Sequence, residues 1–98
     1  MSLLNGTESI EQVESIVCEY FGTNIEEVYS RNKKSAVALA RHFIIYILNT
    51  NYSYSQKKLS LRYNRSFFTI RHSIRLIRYY IDHYKDYKGH YQNLISLD

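Results

Sequence analysis

Proline is absent from the 98-residue sequence, and glycine occurs only three times. Sheet-rich domains of this size usually need more of these two residues at their turns. Apolar residues make up 45% of the chain, including eleven tyrosines and four phenylalanines, which is enough for a folded domain with one core. The composition therefore predicts a single all-α domain over residues 1–98.

Cysteine is also scarce. Cys18 has no second cysteine to pair with, so an internal disulfide is excluded and a reducing, cytoplasmic location is expected. It lies in the segment VESIVCEYF, whose apolar residues recur with helical periodicity, which favours a buried side chain over a reactive thiol. The first nine residues, MSLLNGTES, lack the features of a secretory signal, and the longest apolar run, 43–48, is too short to cross a bilayer.

Sequence motifs of catalysis and cofactor binding are missing as well. The chain has no glycine-rich phosphate loop, HExxH, CxxC or serine nucleophile elbow. Its histidines are separated by 30, 11 and 7 residues, and none of these intervals places two ligands on one face of a helix. We therefore expect no enzymatic activity, no metal, no cofactor and no small-molecule substrate.

Acidic residues are absent between Glu27 and Asp82, whereas residues 1–27 contain six glutamates and no lysine or arginine. A surface with one sign of charge over half a domain repels itself and calls for an anionic partner, for which nucleic acid is the first candidate. Seven of the bases are arginines, whose planar fork suits phosphates and guanine edges. The interval 28–81 holds eleven of the thirteen bases: Arg31, Lys33, Lys34, Arg41, Lys57, Lys58, Arg62, Arg65, Arg71, Arg75 and Arg78.

Apolar residues recur at spacings of three and four, which predicts five or six helices and no strand. Ser9 and Gln12 form a capping-box pattern that opens a helix over about 9–20, and Gly22 ends it. A short second helix follows over 24–29, capped by its first residue, an asparagine. The glutamates of the first helix fall mostly away from its apolar side: Glu8, Glu11, Glu14 and Glu19.

A basic loop then leads into the central helix, about 35–49, and the sequence YSY at 52–54 ends it. Its inward positions follow spacings of three, four, three and one: Val37, Ala40, Ile44, Ile47 and Leu48.

The second half of the chain predicts a helix-turn-helix over about 55–87. Ser55 caps a helix with the sequence QKKLSLRY, and Asn64 makes the turn because asparagine tolerates the left-handed conformation. A long helix over about 66–87 follows, and Gly89 ends it. Its buried stripe is Ile70, Ile74, Ile77 and Ile81, with a row of Arg71, Arg75 and Arg78 beside it. A short closing helix is expected from Tyr91, Leu94, Ile95 and Leu97.

Residues 10–80 resemble a known family, the C-terminal duplex-binding domain of the bacterial replication initiator DnaA, which has a Trp-repressor-like architecture. The sequence IVCEYF is similar to the opening helix of that family, and residues 28–34 resemble its basic L-x-S-K-R-R loop. Residues 40–42, Ala-Arg-His, stand where the family has Pro-Arg-Gln. Residues 59–63 resemble its I-G-x-x-F, and residues 65–72, RSFFTIRH, overlay its signature R-D-H-T-T-V-x-H.

The chain departs from the family where bases are read. The family's Asp-His-Thr corresponds here to Ser66, Phe67 and Phe68, and two phenylalanines can only contact thymine methyls, wedge between base steps or pack. The double glycine before the recognition helix is a single Asn64. The resemblance thus implies the fold and duplex DNA binding, but not the initiator's own target sequence. The sequence also lacks an ATPase module, so a complete initiator is not expected.

The predicted site combines the charge pattern with this resemblance. The resemblance places Lys33, Arg41 and Arg65 on phosphates, and the charge pattern adds further phosphate-binding candidates. Candidate base-reading residues lie on the first turns of the recognition helix. The phosphate set is Arg31, Lys33, Lys34, Arg41, Lys57, Arg65 and Arg75. The base-reading set is Ser66, Phe67, Thr69, Arg71 and His72.

The resulting prediction is sequence-specific or semi-specific binding of double-stranded DNA, in the cytoplasm at the nucleoid, without membrane attachment. A protein-interaction or assembly module, with its basic face on an acidic partner, is the alternative. Binding of single-stranded nucleic acid through the tyrosines is a third hypothesis. Because Asp82 and Asp86 stand among those C-terminal tyrosines, a core or dimer role suits them better, so a homodimer or partner protein is possible.

Overall fold

Six α-helices form the fold in the computed structural model, which describes residues 2–95. Strand-type pairing within those residues is limited to a single parallel bridge between Leu4 and Ile95. The predicted all-α bundle is confirmed, although Leu97 of the expected closing helix lies outside the described range. The helices are α1 (Ile10–Phe21), α2 (Ile25–Tyr29), α3 (Ser35–Asn51), α4 (Gln56–Tyr63), α5 (Phe67–His83) and α6 (Lys85–Leu94).

The predicted caps at Ser9, Gly22, Asn24 and Ser55 are confirmed by their hydrogen bonds. Ser9 and Gln12 form a reciprocal capping box at the start of α1, and Gly22 ends the helix in the left-handed conformation with φ 75°. Asn24 and Ser55 accept bonds from backbone amides in the first turns of α2 and α4. Local sequence therefore sets these boundaries, because each cap is made within four residues of the chain.

Helix α3 runs through the centre of the molecule and packs against α1 and α5. All six residues from 43 to 48 are buried, although only part of this run lies on the apolar face that the sequence predicts. Neighbouring helices cover α3 on several sides, so its flanks are apolar as well. Each fully buried side chain of this size contributes about 1.5–3 kcal/mol relative to exposure.

The prediction of one long helix over 66–87 is wrong, because the helix is interrupted at Tyr84. That residue has an extended backbone, with φ −127° and ψ 122°, and α6 begins directly after it. The break lets α6 fold back, so that Tyr91 packs edge-on against Tyr46 with ring centroids 5.6 Å apart. An unbroken helix would place Tyr91 about 10 Å beyond Tyr84 along the helix axis, away from Tyr46. Gly89, expected to end a helix, lies inside α6.

Glu14 does not lie on the solvent side of α1 as expected, since it is 3% exposed. Arg62 of α4 donates to both of its carboxylate oxygens, from Nη2 at 2.7 Å and from Nε at 2.9 Å. The hydroxyls of Tyr63 and Tyr29 donate to Oε2 at 2.6 and 3.1 Å. Burial raises the pKa of Glu14, but the bonds from Arg62 and Tyr63 outweigh it and leave the pKa below its usual value. This cluster fixes α4 against α1.

None of the helices in the described part of the chain is long and apolar enough to span a bilayer.

Candidate nucleic-acid interface

The helix-turn-helix consists of α4, a tight turn at residues 64–66, and α5. Asn64 adopts the left-handed conformation with φ 51° and ψ 50°, as its residue type indicated. The amide of Arg65 then donates to the carbonyl of Ser60 at 3.1 Å, which closes the turn onto α4. Ser66 caps α5 by accepting from the amide of Thr69 at 3.1 Å. The turn therefore fixes the start of α5, the helix end that enters a groove in this motif.

The outer face of α5 is basic and exposed, while Ile70, Ile74 and Ile77 are buried on its inner face. Positions 71 and 75 lie one turn apart on the outer face, and both arginines are exposed. Within residues 2–95, both ion pairs belong to Arg62, so the arginine row has no carboxylate partner there. The unpaired row leaves its charge available to an external anion.

Two further arginines meet at one backbone oxygen beside the start of α5. The carbonyl of Ser30 accepts from Nη2 of Arg65 at 2.7 Å and from Nη2 of Arg41 at 3.1 Å. Arg41 also donates to the carbonyls of Val28 at 2.8 Å and Asn32 at 3.2 Å. This oxygen therefore connects α3, the basic loop and the helix-turn-helix.

The charged side chains that perturb one another beside the Ser30 carbonyl are all positive. Burial lowers the pKa of Arg41, and the charge of Arg65 lowers it further; burial and the charge of Arg31 do the same to Arg65. Carbonyl dipoles stabilise these guanidinium groups, but they do not cancel their charge. A patch of positive potential therefore remains at the start of α5.

The basic loop before α3 presents Arg31, Lys33 and Lys34 to solvent. Its shape comes from Asn32. The side-chain Oδ1 of this residue accepts from the backbone amide of Lys34 at 2.9 Å, and its backbone amide donates to the hydroxyl of Ser30 at 3.1 Å. These local bonds are typical of asparagine turns. They fix the shape of the loop, and Arg31 lies close enough to Arg65 for its charge to lower the pKa of that residue.

The predicted phosphate-binding residues differ in how free their side chains are. Arg31, Lys33, Lys34, Lys57 and Arg75 are exposed. Arg41 and Arg65 are half-buried and tied to backbone carbonyls, which gives them a structural role that the sequence did not indicate. Arg65 donates to the Tyr63 carbonyl at 2.9 Å in addition to that of Ser30. Their phosphate contacts remain predictions.

Among the base-reading candidates, Arg71 and His72 are exposed and Phe67 is 48% exposed. Ser66 and Thr69 are less free, because the Ser66 hydroxyl caps the helix and lies 3.0 Å from that of Thr69. The candidate set omitted Phe68, which is 80% exposed. Positions 68, 71, 72 and 75 share one face of the helix, a relationship that the sequence already indicates.

His42 lies behind the recognition helix, with its Nδ1 atom 2.8 Å from the hydroxyl of Ser73. Burial lowers the pKa of His42 to about 4, with a further contribution from Arg41. The imidazole is therefore neutral at physiological pH and links α3 to α5. Within the described residues, no group of three or more histidine, cysteine or acidic side chains is arranged to hold a metal.

The comparisons with known proteins agree with this geometry. Residues 10–77 match the family described as "Bacterial dnaA protein helix-turn-helix", a range that runs from the start of α1 into α5. Over 64 residues the chain is 34% identical to the chromosomal replication initiator protein DnaA of Pseudothermotoga lettingae. That alignment covers 65% of this chain and 14% of the relative's length.

Proposed function

The chain belongs to the bacterial DnaA helix-turn-helix family, which implies DNA binding, and on that premise we propose that it binds duplex DNA without enzymatic activity. In this proposal the helix-turn-helix face binds with at least partial sequence selectivity. It needs no nucleotide, because the 98 residues contain no phosphate-loop motif. The nucleoid is the corresponding location.

The observation that carries the proposal is the pair of guanidinium groups on the Ser30 carbonyl. Bringing Arg41 and Arg65 together costs free energy through like-charge repulsion and burial. A phosphate placed beside them would offset that cost, since within residues 2–95 neither arginine has a carboxylate as an ion-pair partner. The start of α5 adds the positive end of a helix dipole next to Arg65.

We infer the following docking arrangement. The first turns of α5 enter the major groove, and the lysine and arginine side chains on either side contact the phosphates of the two DNA strands. Arg31, Lys33 and Lys34 contact one strand from the loop, while Lys57 of α4 and Arg75 of α5 contact backbone farther along. Arg65 contacts phosphate at the start of the recognition helix, and Arg41, which also shapes the loop, adds its charge beside the same phosphate.

Base reading is proposed for the exposed outer face of α5. Arg71 has the fork that pairs with guanine, and His72 lies next to it on the same face. Phe67 and the omitted Phe68 present apolar rings where the family has polar readers. These rings favour contact with thymine methyl groups over hydrogen bonding, so the target sequence is expected to differ from that of the initiator.

A salt titration of DNA affinity tests the proposal. If six to eight phosphates are neutralised, the slope of log K against log salt is about −5 to −7, from roughly −0.9 per contact. Fluorescence anisotropy with a random duplex measures it, and single-stranded DNA of the same length serves as competitor. Arg31→Ala should reduce the slope, whereas Lys88→Ala, which removes one charge from α6, should leave it unchanged.

A flat salt dependence would contradict duplex binding and favour the protein-interaction module. Preference for the single strand would favour the third hypothesis. If duplex binding is confirmed, selection from a random pool then measures how specific it is.

A further inference from the structure

The distal half of α5 carries an exposed surface that the proposed DNA contacts do not use. Tyr79 and Tyr84 are each 51% exposed, and the His83 ring stacks on that of Tyr79 with centroids 4.0 Å apart. The His83 Nδ1 atom also donates to the Tyr79 carbonyl at 2.8 Å, so the stacked pair is held in place. Rigid, exposed aromatic side chains are enriched where proteins contact one another.

Charges of opposite sign flank these rings along the helix. Arg78 precedes Tyr79 by one residue, and Asp82 follows one turn after Arg78 on the same side. Both charged side chains are exposed, and within residues 2–95 neither takes part in an ion pair. The patch has aromatic rings between a positive charge, Arg78, and a negative charge, Asp82. A surface with this order of charges is complementary to itself under a twofold rotation.

We propose that this surface binds a second copy of the chain, with the two α5 helices antiparallel. A twofold axis level with residue 80 along the helix, on the face that carries Arg78 and Asp82, sets Arg78 of each copy opposite Asp82 of the other, because the two positions lie equally far from residue 80. The rings of Tyr79 and Tyr84 then pack across the axis. The occupant is a second copy because one chain supplies both halves of the charge pairing.

Other occupants fit the same surface less well. Asp82 and Asp86 are exposed beside the tyrosines and would repel the phosphates of a single-stranded nucleic acid and the headgroups of an anionic membrane. The same carboxylates attract the arginine of a second copy.

Sedimentation equilibrium of the intact chain at low salt tests the pairing. A single small patch gives weak association, so concentrations up to roughly 0.5 mM are needed. Asp82→Arg and Arg78→Asp should each weaken dimerisation at least about tenfold, because like charges then face each other. The double variant, with both changes in one chain, should restore association to within about threefold, because the pair re-forms with its signs exchanged. Glu19→Arg on α1 makes the same change in net charge as Asp82→Arg and should have no effect.

A wild-type protein that stays monomeric throughout this range would overturn the proposal. So would a double variant as weak as the singles, because it would show that these side chains do not face each other. All variants are at exposed positions, and circular dichroism verifies their folding. A dimer that fails to bind DNA would refute the proposed function and leave the dimer standing, whereas a monomer that binds DNA would do the reverse.

Discussion

Arg41 and Arg65 donate to the same backbone oxygen, the carbonyl of Ser30, at 3.1 and 2.7 Å. Arg41 belongs to the central helix and Arg65 to the turn before the recognition helix, whereas Ser30 opens the basic loop. The shared oxygen thus couples the position of the loop to that of the recognition helix. Displacing either guanidinium group would disturb both.

Substitution of Arg41 should mainly lower the stability of the fold, whereas substitution of Arg31 should mainly weaken phosphate binding. Arg41→Ala leaves several half-buried carbonyls without their donor, so the free energy of unfolding should fall by about 1–3 kcal/mol. Arg31→Ala removes an exposed side chain and should change stability by less than about 0.5 kcal/mol, while the salt slope loses about 0.9. Urea denaturation and anisotropy measure the two effects. Equal stability of the two variants would refute the scaffold role.

Arg71 should control selectivity more than overall affinity. A bidentate contact with guanine discriminates against other bases by about 1–3 kcal/mol, so Arg71→Ala should relax the preference at one position by that amount. Non-specific affinity should fall only by the loss of one charge. Binding to a selected duplex and to its single-base variants measures both quantities. An unchanged preference would remove Arg71 from the base-reading set.

The Glu14–Arg62 pair should stabilise the domain without contacting DNA. Arg62→Ala leaves a carboxylate 3% exposed without its cation, and we expect a loss of about 2–4 kcal/mol. This is less than for a fully buried pair, because Tyr63 and Tyr29 still donate to the carboxylate. Replacing both residues, by Glu14→Gln with Arg62→Met, should cost less than the single change. Thermal unfolding of Glu14→Gln, Arg62→Met and the double variant tests the coupling, and strictly additive losses would contradict it.

His42 should make the domain less stable in mild acid. Its folded-state pKa of about 4 lies below the usual 6.5, so between these values the unfolded chain binds a proton that the folded chain does not. Its contribution to stability is complete above pH 6.5 and is lost as the pH falls towards 4, by at most about 1.4 kcal/mol per pH unit. Urea denaturation between pH 5 and 7 measures the slope. His42→Asn should flatten it; an equally steep slope in that variant would assign it to other groups.

Glu14 adds a second loss at lower pH. Because its folded pKa is lowered, its contribution is present above pH 4.5 and disappears as the pH falls through the lowered value. The interval from pH 5 to 7 therefore isolates the effect of His42.

The helix boundaries were predictable wherever the determining bond is local. Ser9, Asn24, Ser55 and Asn64 each act within a few residues of themselves, and their roles are as the sequence predicts. The break at Tyr84 was not, because no glycine or proline marks it. It arises because folding α6 back onto the core buries Tyr91 and Leu94, a gain that depends on residues far away in the chain.

The candidate site was likewise only partly predictable from the sequence. The charge pattern and the family resemblance identified the helix-turn-helix and its basic residues, and the family match supports that interpretation. The sequence could not show which arginines are free. Arg62 is bound to Glu14, 48 residues away, and Arg65 to Ser30, 35 residues away.

The sequence by itself therefore determined the helical content, most helix ends, the polarity of charge and the family. The helical content, the helix ends and the charge polarity follow from apolar spacing, local caps and composition, whereas the family follows from the resemblance of its motifs. All of these can be read along the chain, without knowing which distant residues meet. Only the tertiary structure decided that Glu14 is buried, that α6 turns back at Tyr84, and that Arg41 and Arg65 meet at one carbonyl. Each of these requires groups distant in sequence to approach within hydrogen-bonding or packing distance, and that proximity exists only once the core has assembled.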